Sequence, residues 1–513
     1  MKFDRTSMLY GTIVLTGTSI VSQLLGFVYR ILLSRLIGAE VMGLYQLIMP
    51  VYSVIMSITA VGLTVAVSTL SSSYHAQGNH TAIVQVLRRC LALFFLLFAL
   101  AAGATLFFYD PISVSLLGDA RTQLGLLLLL PCILLTGVEN LHKHFFYGTG
   151  RIRPPAAVEL CEQFIRTGLV LGLLVCFLPQ NPERTVGLIV LGMTGCEIFS
   201  AVTLALLFRR QVRRDGLRSG APMEPRQLDR RIFSIALPIG CTSLLGNLMG
   251  SATAVLIPRR LVSAGAAVSE AMSAFGILCG MTVPMLFMPT AFIGALGLVL
   301  VPKLAQSVAL GRKGEIQRRV DRVMLATSVI LLPAMAFWVV LGPSIGEALF
   351  REPTVGDFML PLSIGVVLSC YQSVLSCTLN GVGKPSAAAR SAIVSDAVQL
   401  GCTWFLMGLP GVGLKGYVVG FVASAGVGAL LNWRAVRRAT GLVPRVFQWC
   451  TAPALSALLM GLVINLLFQV LQDAGLGALP AILACLTFGI VLYLAALSAQ
   501  GIWPGRLFRL RKR

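Results

Sequence analysis

Acidic residues are scarce in this chain: 20 Asp and Glu stand against 41 Lys and Arg in 513 residues, and charged residues of both signs reach only 12%. Soluble globular domains carry about 25%, so a soluble enzyme of this length is excluded. Histidine is rarer still, with four residues, and the twelve cysteines include no C-x-x-C and no grouping with His at metal-ligand spacing. We therefore expect no metal and no cofactor, and read the cysteines as small buried hydrophobes. Gly383-Lys384 is followed by Pro385, and no glycine lies five residues before Gly383, so a nucleotide-binding P-loop is absent. The apolar segment Met8 to Tyr29 lacks a small-residue cleavage site and is too long for a signal-peptide core. It is expected to stay as a helix. Asn79-His80-Thr81 has the form of a glycosylation sequon, but falls on the side expected to be cytoplasmic.

What fills the chain instead is apolar: 56% hydrophobic residues and a mean hydropathy of +0.85. Fourteen runs, from 8–29 and 43–67 through to 450–472 and 479–500, have the length of about 20 residues that a spanning helix needs. The fold expected is an all-α polytopic membrane protein of about fourteen helices. The net charge of +21 could suggest a nucleic acid, but its placement says otherwise. With the N-terminus inside, 32 of the 41 cations fall on one side of the membrane; the opposite loops hold Arg30, Arg35, Arg121, Arg184, Arg259, Arg260, Arg351 and Lys415. The positive-inside rule then places both termini in the cytoplasm. The basic segments, including 312–322 and the tail 506–513, are read as contacts with anionic lipids, with no nucleic-acid partner.

Sliding the sequence against itself by 233 residues pairs Gly43 with Gly276, Gly78 with Gly311, Gly148 with Gly381 and Gly150 with Gly383; Gly168, Gly187 and Gly195 fall on Gly401, Gly420 and Gly428. Half of the glycines between Gly43 and Gly195 match, where glycine is about one residue in ten of the chain. Arg89 with Arg322 and Arg151 with Lys384 follow at the same offset. The repeat unit holds six helices, an even number, so the halves are expected to be parallel lobes related about the membrane normal. The organisation read from this is a six-helix lobe over 1–208, a basic linker over 209–231, a second lobe over 232–440, and two further helices with a basic tail over 441–513. Two lobes and no soluble domain point to alternating-access transport rather than catalysis, in a protein expected to work as a monomer.

Polar groups inside spans are costly and normally face a cavity or a partner. Thr12, Thr16, Ser19, Gln23, Gly26 and Arg30 lie on one face of the first run, and Ser243, Asn247, Gly250 and Ala254 form a weaker face on the seventh. The first is read as lining a cavity; for the second, lining and packing are equally open. Pro50, Pro284 and Pro289 are expected to interrupt their helices. Glu139, His142, Lys143, His144, Glu159, Glu162 and Arg166 cluster along the fourth and fifth runs, much of them at a solvated cytoplasmic mouth; Glu139 and Arg166 lie deepest. Glu197 and Asp396 read as lone buried acids, suited to a coupling cation or to a neighbouring helix.

The stretch Leu24-Leu25-Gly26-Phe27-Val28-Tyr29-Arg30, then Ser34 to Glu40, then Gly43-Leu44-Tyr45-Gln46 with Pro50, resembles the stage V sporulation protein B-like polysaccharide transporters of the multidrug/oligosaccharidyl-lipid/polysaccharide flippase superfamily. So does Gly62 to Ser68; the Gly-x-Gly-basic turns at Gly148 and Gly381 extend the resemblance along the chain. The chain departs from that pattern at Ser22-Gln23, where relatives often carry a basic residue. The resemblance implies a flippase that moves an undecaprenyl-pyrophosphate-linked oligosaccharide, such as a peptidoglycan precursor for the spore cortex, from the inner to the outer leaflet of a bacterial cell membrane. It also implies a lipid-tail groove at the last two helices. A pyrophosphate needs cations, for which Arg30, Arg35, Arg166, Arg259 and Arg260 are available, with Gln23, Glu139 and Asn247 as further substrate-binding candidates. The alternatives are a cation-coupled multidrug exporter and an intramembrane glycosyltransferase or ligase, the second disfavoured by short outer loops.

Overall fold

A computed structural model describes residues 8–177, 181–214, 220–441, 443, 445 and 447–502. Lys2, Arg5, part of the basic linker and the tail 506–513 lie outside the described residues, as do the side chains of Thr12 and Thr16. The described residues hold helices and no strand, as a lipid-embedded chain must when every backbone group has to be satisfied within its own segment. Twelve helices among them are long and apolar enough to cross a membrane. The fourteen expected runs are not recovered one for one. The first two merge in a single 60-residue segment, Gly17–Ala76, and Pro385–Leu406, which carries Arg390 and Asp396, is not among the twelve.

The chain forms two compact units, Met1–Gly276 and Ile277–Arg513. The first contains α1 (Met8–Met56), α2 (Gly62–Ala76), α3 (His80–Phe107), α4 (Gln123–Gly148), α5 (Arg153–Phe177), α6 (Pro182–Arg214), α7 (Pro225–Ser263) and the short α8 (Val268–Phe275). The second contains α9 (Val283–Phe287), α10 (Thr290–Ala309), α11 (Lys313–Ile345), α12 (Met359–Gly381), α13 (Pro385–Leu406), α14 (Leu414–Thr440), α15 (Ala452–Asp473) and α16 (Ala478–Ala499). Pro284 and Pro289 do break the eighth run, giving α8, a π-helical turn Gly276–Thr282, α9 and α10. Pro50 does not interrupt its helix. The break in α1 falls instead at Gly38, whose φ of 76° is a conformation that side chains with a Cβ rarely adopt.

The internal repeat is visible in the backbone. Gly150 N–H donates to Tyr147 at 3.1 Å and Arg151 to Phe146 at 2.9 Å; 233 residues on, Gly383 donates to Asn380 at 3.2 Å and Lys384 to Leu379 at 2.8 Å. Two more turns recur in the same register. Asn79 to Tyr74 is matched by Arg312 to Ser307, and Asp119 to Ser113 by Glu352 to Gly346. A periodicity first seen in glycine spacing is thus a periodicity of hydrogen bonds. Within the first unit one pair of repeat mates even meets: a Cβ on Gly43 would collide with the carbonyl of Met272, and one on Gly276 with the carbonyl of Ala39. Ala39 and Met272 are themselves 233 apart, so the contact is reciprocal, as between isologous surfaces.

Helix α7 lies along α1 and α2. Asn247 donates to the Ser57 hydroxyl, Ser251 to the Pro50 carbonyl at 3.3 Å, and a Cβ on Gly62 would strike the Ala236 carbonyl. Asn247, on the polar face of the seventh run, is thus hydrogen-bonded to the neighbouring helical segment. In the second unit, the segment entering α15 is pinned to α11, since Trp449 Nε1 donates to Asp321 at 3.2 Å; Gly489 of α16 then packs on Ile464 of α15. Leu455, Leu458, Leu462, Leu466 and Val470 of α15 stay exposed on one flank, a surface suited to lipid.

Candidate functional site, a buried charge cluster in the first unit

The deepest concentration of charge lies where α4, α5 and α6 meet. Arg166 is thirteen residues from Arg153 and eleven from Phe177. At a rise of about 1.5 Å per residue it sits about 20 Å and 16 Å from the helix ends, near the middle of a span. Glu197 is likewise central in α6. Local sequence sets the geometry. Glu139 and Lys143, and Glu162 and Arg166, are i,i+4 pairs, which stack acid and base on one helix face.

Lys143 Nζ lies 2.8 Å from Glu139, and Arg166 is paired with Glu162 on its own helix and with Glu197 on α6 at 3.2 Å. Glu139, Glu162 and Glu197 are only 2%, 5% and 3% exposed. The Glu139 carboxyl sits beside that of Glu197, and the Ser200 hydroxyl beside Glu162. Three carboxyl groups face two cations. Not every polar atom is used: Glu197 Oε2, Arg166 Nε and Ser200 Oγ are buried without a hydrogen-bond partner among the described residues. Cys196 Sγ and oxygens of Glu162 and Glu197 lie within 4.8 Å of one another. Tyr29 and Tyr45 of α1 stand within electrostatic range of both Arg166 and Arg30. The cluster is thus walled by α1 as well.

Removing one partner of such a buried pair costs about 3–5 kcal/mol, because the other charge is left uncompensated. The same arrangement offers the guanidinium of Arg166 at mid-depth, with the ammonium of Lys143 nearer the end of α4, to an anionic group.

The structure brings together Glu139, Arg166 and Glu197 of the residues singled out from sequence. It corrects two readings. Glu197 is no lone acid, since Arg166 reaches it from 31 residues away, and Lys143 and Glu162 belong to the buried cluster rather than to a solvated mouth. The i,i+4 spacing was the signal that could have found them. The other candidates lie elsewhere. Ser19 and Gln23 are exposed, Arg30 is half-buried, Arg35 is exposed, and Gly26 faces Gln163 of α5. Arg259 is exposed and packs on Gly118, beside a latch in which Arg121 grips Asp119 at 2.8 Å and Glu40 at 2.7 Å; Arg260 is half-buried. Asp396 is half-buried on α13 in the second unit. All twelve cysteines are free thiols, five of them buried.

The positions that mirror the cluster in the second unit are neutral. At the offset of 233, Glu139, Lys143, Glu162 and Arg166 correspond to Gln372, Ser376, Ser395 and Gln399. There Ser395 donates to the Ser424 carbonyl at 2.7 Å, Ser424 to Gln399 at 2.9 Å, and Asn432 to the Gln372 carbonyl at 3.0 Å.

Comparison with known proteins agrees with the fold. A family profile described as polysaccharide biosynthesis protein matches residues 8–308. Stage V sporulation protein B of Bacillus subtilis (strain 168) is 24% identical over 438 residues, covering 85% of this chain and 84% of that one. The lipid II flippase MurJ of the same organism is 23% identical, covering 77% and 76%. Among solved structures, lipid II flippase MurJ in an inward closed conformation superposes with a TM-score of 0.67 at 13% identity, over 97% of this chain and 100% of that one. An inward-facing multidrug resistance MATE family transporter of the MOP superfamily gives 0.62 at 18%, over 84% and 100%.

Proposed function

We propose that this chain, which belongs to the polysaccharide biosynthesis protein family, moves a lipid-linked oligosaccharide from the inner to the outer leaflet of a bacterial cell membrane by alternating access. The observation that carries the reading is the charge cluster at mid-depth of the first unit, set against its neutral mates in the second. Equivalent helix positions pack with amides and hydroxyls, so the charges are not what the fold requires. Charges kept in hydrocarbon without a structural need mark a substrate or ion pathway. Arg166 and Lys143 provide guanidinium and ammonium groups for a pyrophosphate, and the sugar it carries would travel through polar surroundings while the lipid tail stays in the bilayer.

The carrier that fits best is undecaprenyl pyrophosphate, with a peptidoglycan precursor as the glycan, consistent with what the relatives' names describe of those proteins. An inside-negative potential favours outward movement of two negative charges by about 4.6 kcal/mol per 100 mV. On this reading both termini are cytoplasmic, the protein acts as a monomer and is no enzyme, and Arg209, Arg210 and Arg213 around an open depression at the end of α6 meet anionic lipid. The three buried carboxyls favour one second reading, a cation-coupled drug exporter using Glu197 and Asp396.

The test is a leaflet-accessibility assay on vesicles containing the full-length protein and an undecaprenyl-pyrophosphate-linked oligosaccharide. Protein-dependent exposure of the glycan to a membrane-impermeant lectin is expected. Exposure no faster than in protein-free vesicles, with ion-dependent dye efflux instead, would favour the exporter.

A further inference from the structure

Helix α6 has a second face that the buried cluster does not use. On a helix of 3.6 residues per turn, Leu191, Ile198, Val202 and Leu206 fall within about 80° of one another, and all four are 44–57% exposed. The helix packs on α4 and α5 with its other sides, where Glu197 and Ser200 are buried. The exposed face ends in arginine. Arg209 and Arg213 continue its line beyond Leu206, Arg210 stands beside them, and Leu206 and the three arginines line a depression of about 360 Å³. Small-molecule sites run from about 300 to 1,000 Å³. From Leu191 to Arg209 the helix rises about 27 Å, close to the hydrocarbon depth of about 30 Å. These arginines are also uncommitted. Arg89 is held by Asp229, Arg319 by Glu315 and Arg445 by Asp321, whereas Arg209, Arg210 and Arg213 are exposed and make no ion pair or hydrogen bond among the described residues. Three free cations at the foot of a bilayer-long apolar strip suit a ligand with two adjacent negative charges and a long hydrocarbon chain.

We propose that the end of α6 is a docking site for a long-chain lipid pyrophosphate, its phosphates held by Arg209, Arg210 and Arg213 and its chain laid along Leu206, Val202, Ile198 and Leu191. Arginines one helical turn apart have Cβ atoms about 5–6 Å from each other, so two directly linked phosphates fit between them, each gripped through paired N–H donors. A phosphodiester lipid brings one charge to three cations, and a diphosphatidyl lipid spreads its two across a glycerol. The inference names the lipid at arginines that the reading above gives to anionic lipid. It rests on that reading, which makes this end of α6 cytoplasmic and the cargo a lipid pyrophosphate. The strip is turned about 140° around α6 from Glu197, on the flank that faces away from the buried cluster. The site therefore collects cargo at the membrane surface before transport, raising its local concentration.

The test irradiates the full-length protein, in phosphatidylcholine vesicles, with a diazirine-bearing polyprenyl pyrophosphate below saturation and locates the labelled peptides by mass spectrometry. Adducts are expected on α6 between Ile198 and Leu206. Unlabelled undecaprenyl pyrophosphate competes them away, whereas equal amounts of phosphatidylglycerol or diphosphatidylglycerol do not. Arg209→Gln, Arg210→Gln and Arg213→Gln combined lower the labelling about a hundredfold. In the leaflet-accessibility assay the same variant, still monodisperse, is several-fold slower at limiting cargo, a loss that added cargo restores. Labelling that is absent from α6, or that survives the triple substitution, overturns the site. Labelling that yields equally to the phosphodiester lipids overturns it too, leaving a general contact with anionic lipid. A triple variant as fast as wild type at limiting cargo overturns the collecting role. Wild-type protein that is labelled on α6 but exposes no glycan contradicts the transport reading and leaves the docking site standing.

Discussion

The two units put different chemistry at the same helix positions. In the first, Glu139, Lys143, Glu162 and Arg166 form ion pairs across α4 and α5, and reach Glu197 on α6. In the second, Ser395 and Gln399 are joined through Ser424, and Asn432 donates to the backbone carbonyl of Gln372. The turns that flank these helices keep identical hydrogen-bond registers, so the backbone is shared and only the side chains diverge. A neutral network of hydroxyls and amides contributes packing and rigidity. A charged network is poorly suited to that task, because buried ion pairs seldom stabilise more than well-packed neutral groups would. The difference therefore separates a unit that carries the ionic chemistry from one in which the four corresponding positions are neutral.

The sharpest way to break this contrast is Arg166→Ala. It leaves Glu162 and Glu197 without their shared cation, and is expected to lower stability by about 3–5 kcal/mol and to abolish transport. Thermal unfolding of the purified variant checks the first effect, and the vesicle assay the second; an unchanged melting curve would mean that the pairs do not hold in the membrane. Next come the meeting repeat mates: Gly43→Ala and Gly276→Ala should each cost about 1–3 kcal/mol by forcing helices apart, and by similar amounts, since the contact is reciprocal. Markedly unequal losses would argue against that symmetry.

In the neutral unit, Ser424→Ala removes one hydrogen bond to Gln399 and should cost about 1 kcal/mol with transport retained. Loss of transport there would erase the division of labour. The smallest effect has the opposite sign. Arg351 is the one described non-glycine residue with positive φ, at 62°, and its repeat mate is Gly118 at 84°. Arg351→Gly should relieve about 1 kcal/mol of backbone strain and raise the unfolding temperature slightly.

Much of this was legible in the sequence because the bilayer imposes simple rules. Apolar runs marked nearly every helix, and the glycine offset revealed the repeat, since turns demand glycine where few other residues fit. The helix count was less legible. A continuous helix with a break at Gly38 reads as two runs, and Arg390 and Asp396 dilute the apolar character of α13. Of the cluster, Arg166, Glu139 and Glu197 stood out as charges within spans. Lys143 and Glu162 were hidden by their nearness to the ends of apolar runs, which says how far a residue lies along a helix but not which face it occupies. The pairing of Glu197 with Arg166 joins two helices, and no local pattern announces a contact of that kind. The second unit held the missing clue, since aligning the halves shows charge on one side and amides or hydroxyls on the other.

That alignment also supplies the most direct test. Replacing the cluster by its mates, with Glu139→Gln, Lys143→Ser, Glu162→Ser and Arg166→Gln combined with Glu197→Gln, removes every charge together and leaves none uncompensated. The vesicle leaflet-accessibility assay on this variant, run beside its thermal unfolding, should show a folded protein with transport reduced to the protein-free rate. A folded variant that still exposes the glycan at the wild-type rate would contradict the account.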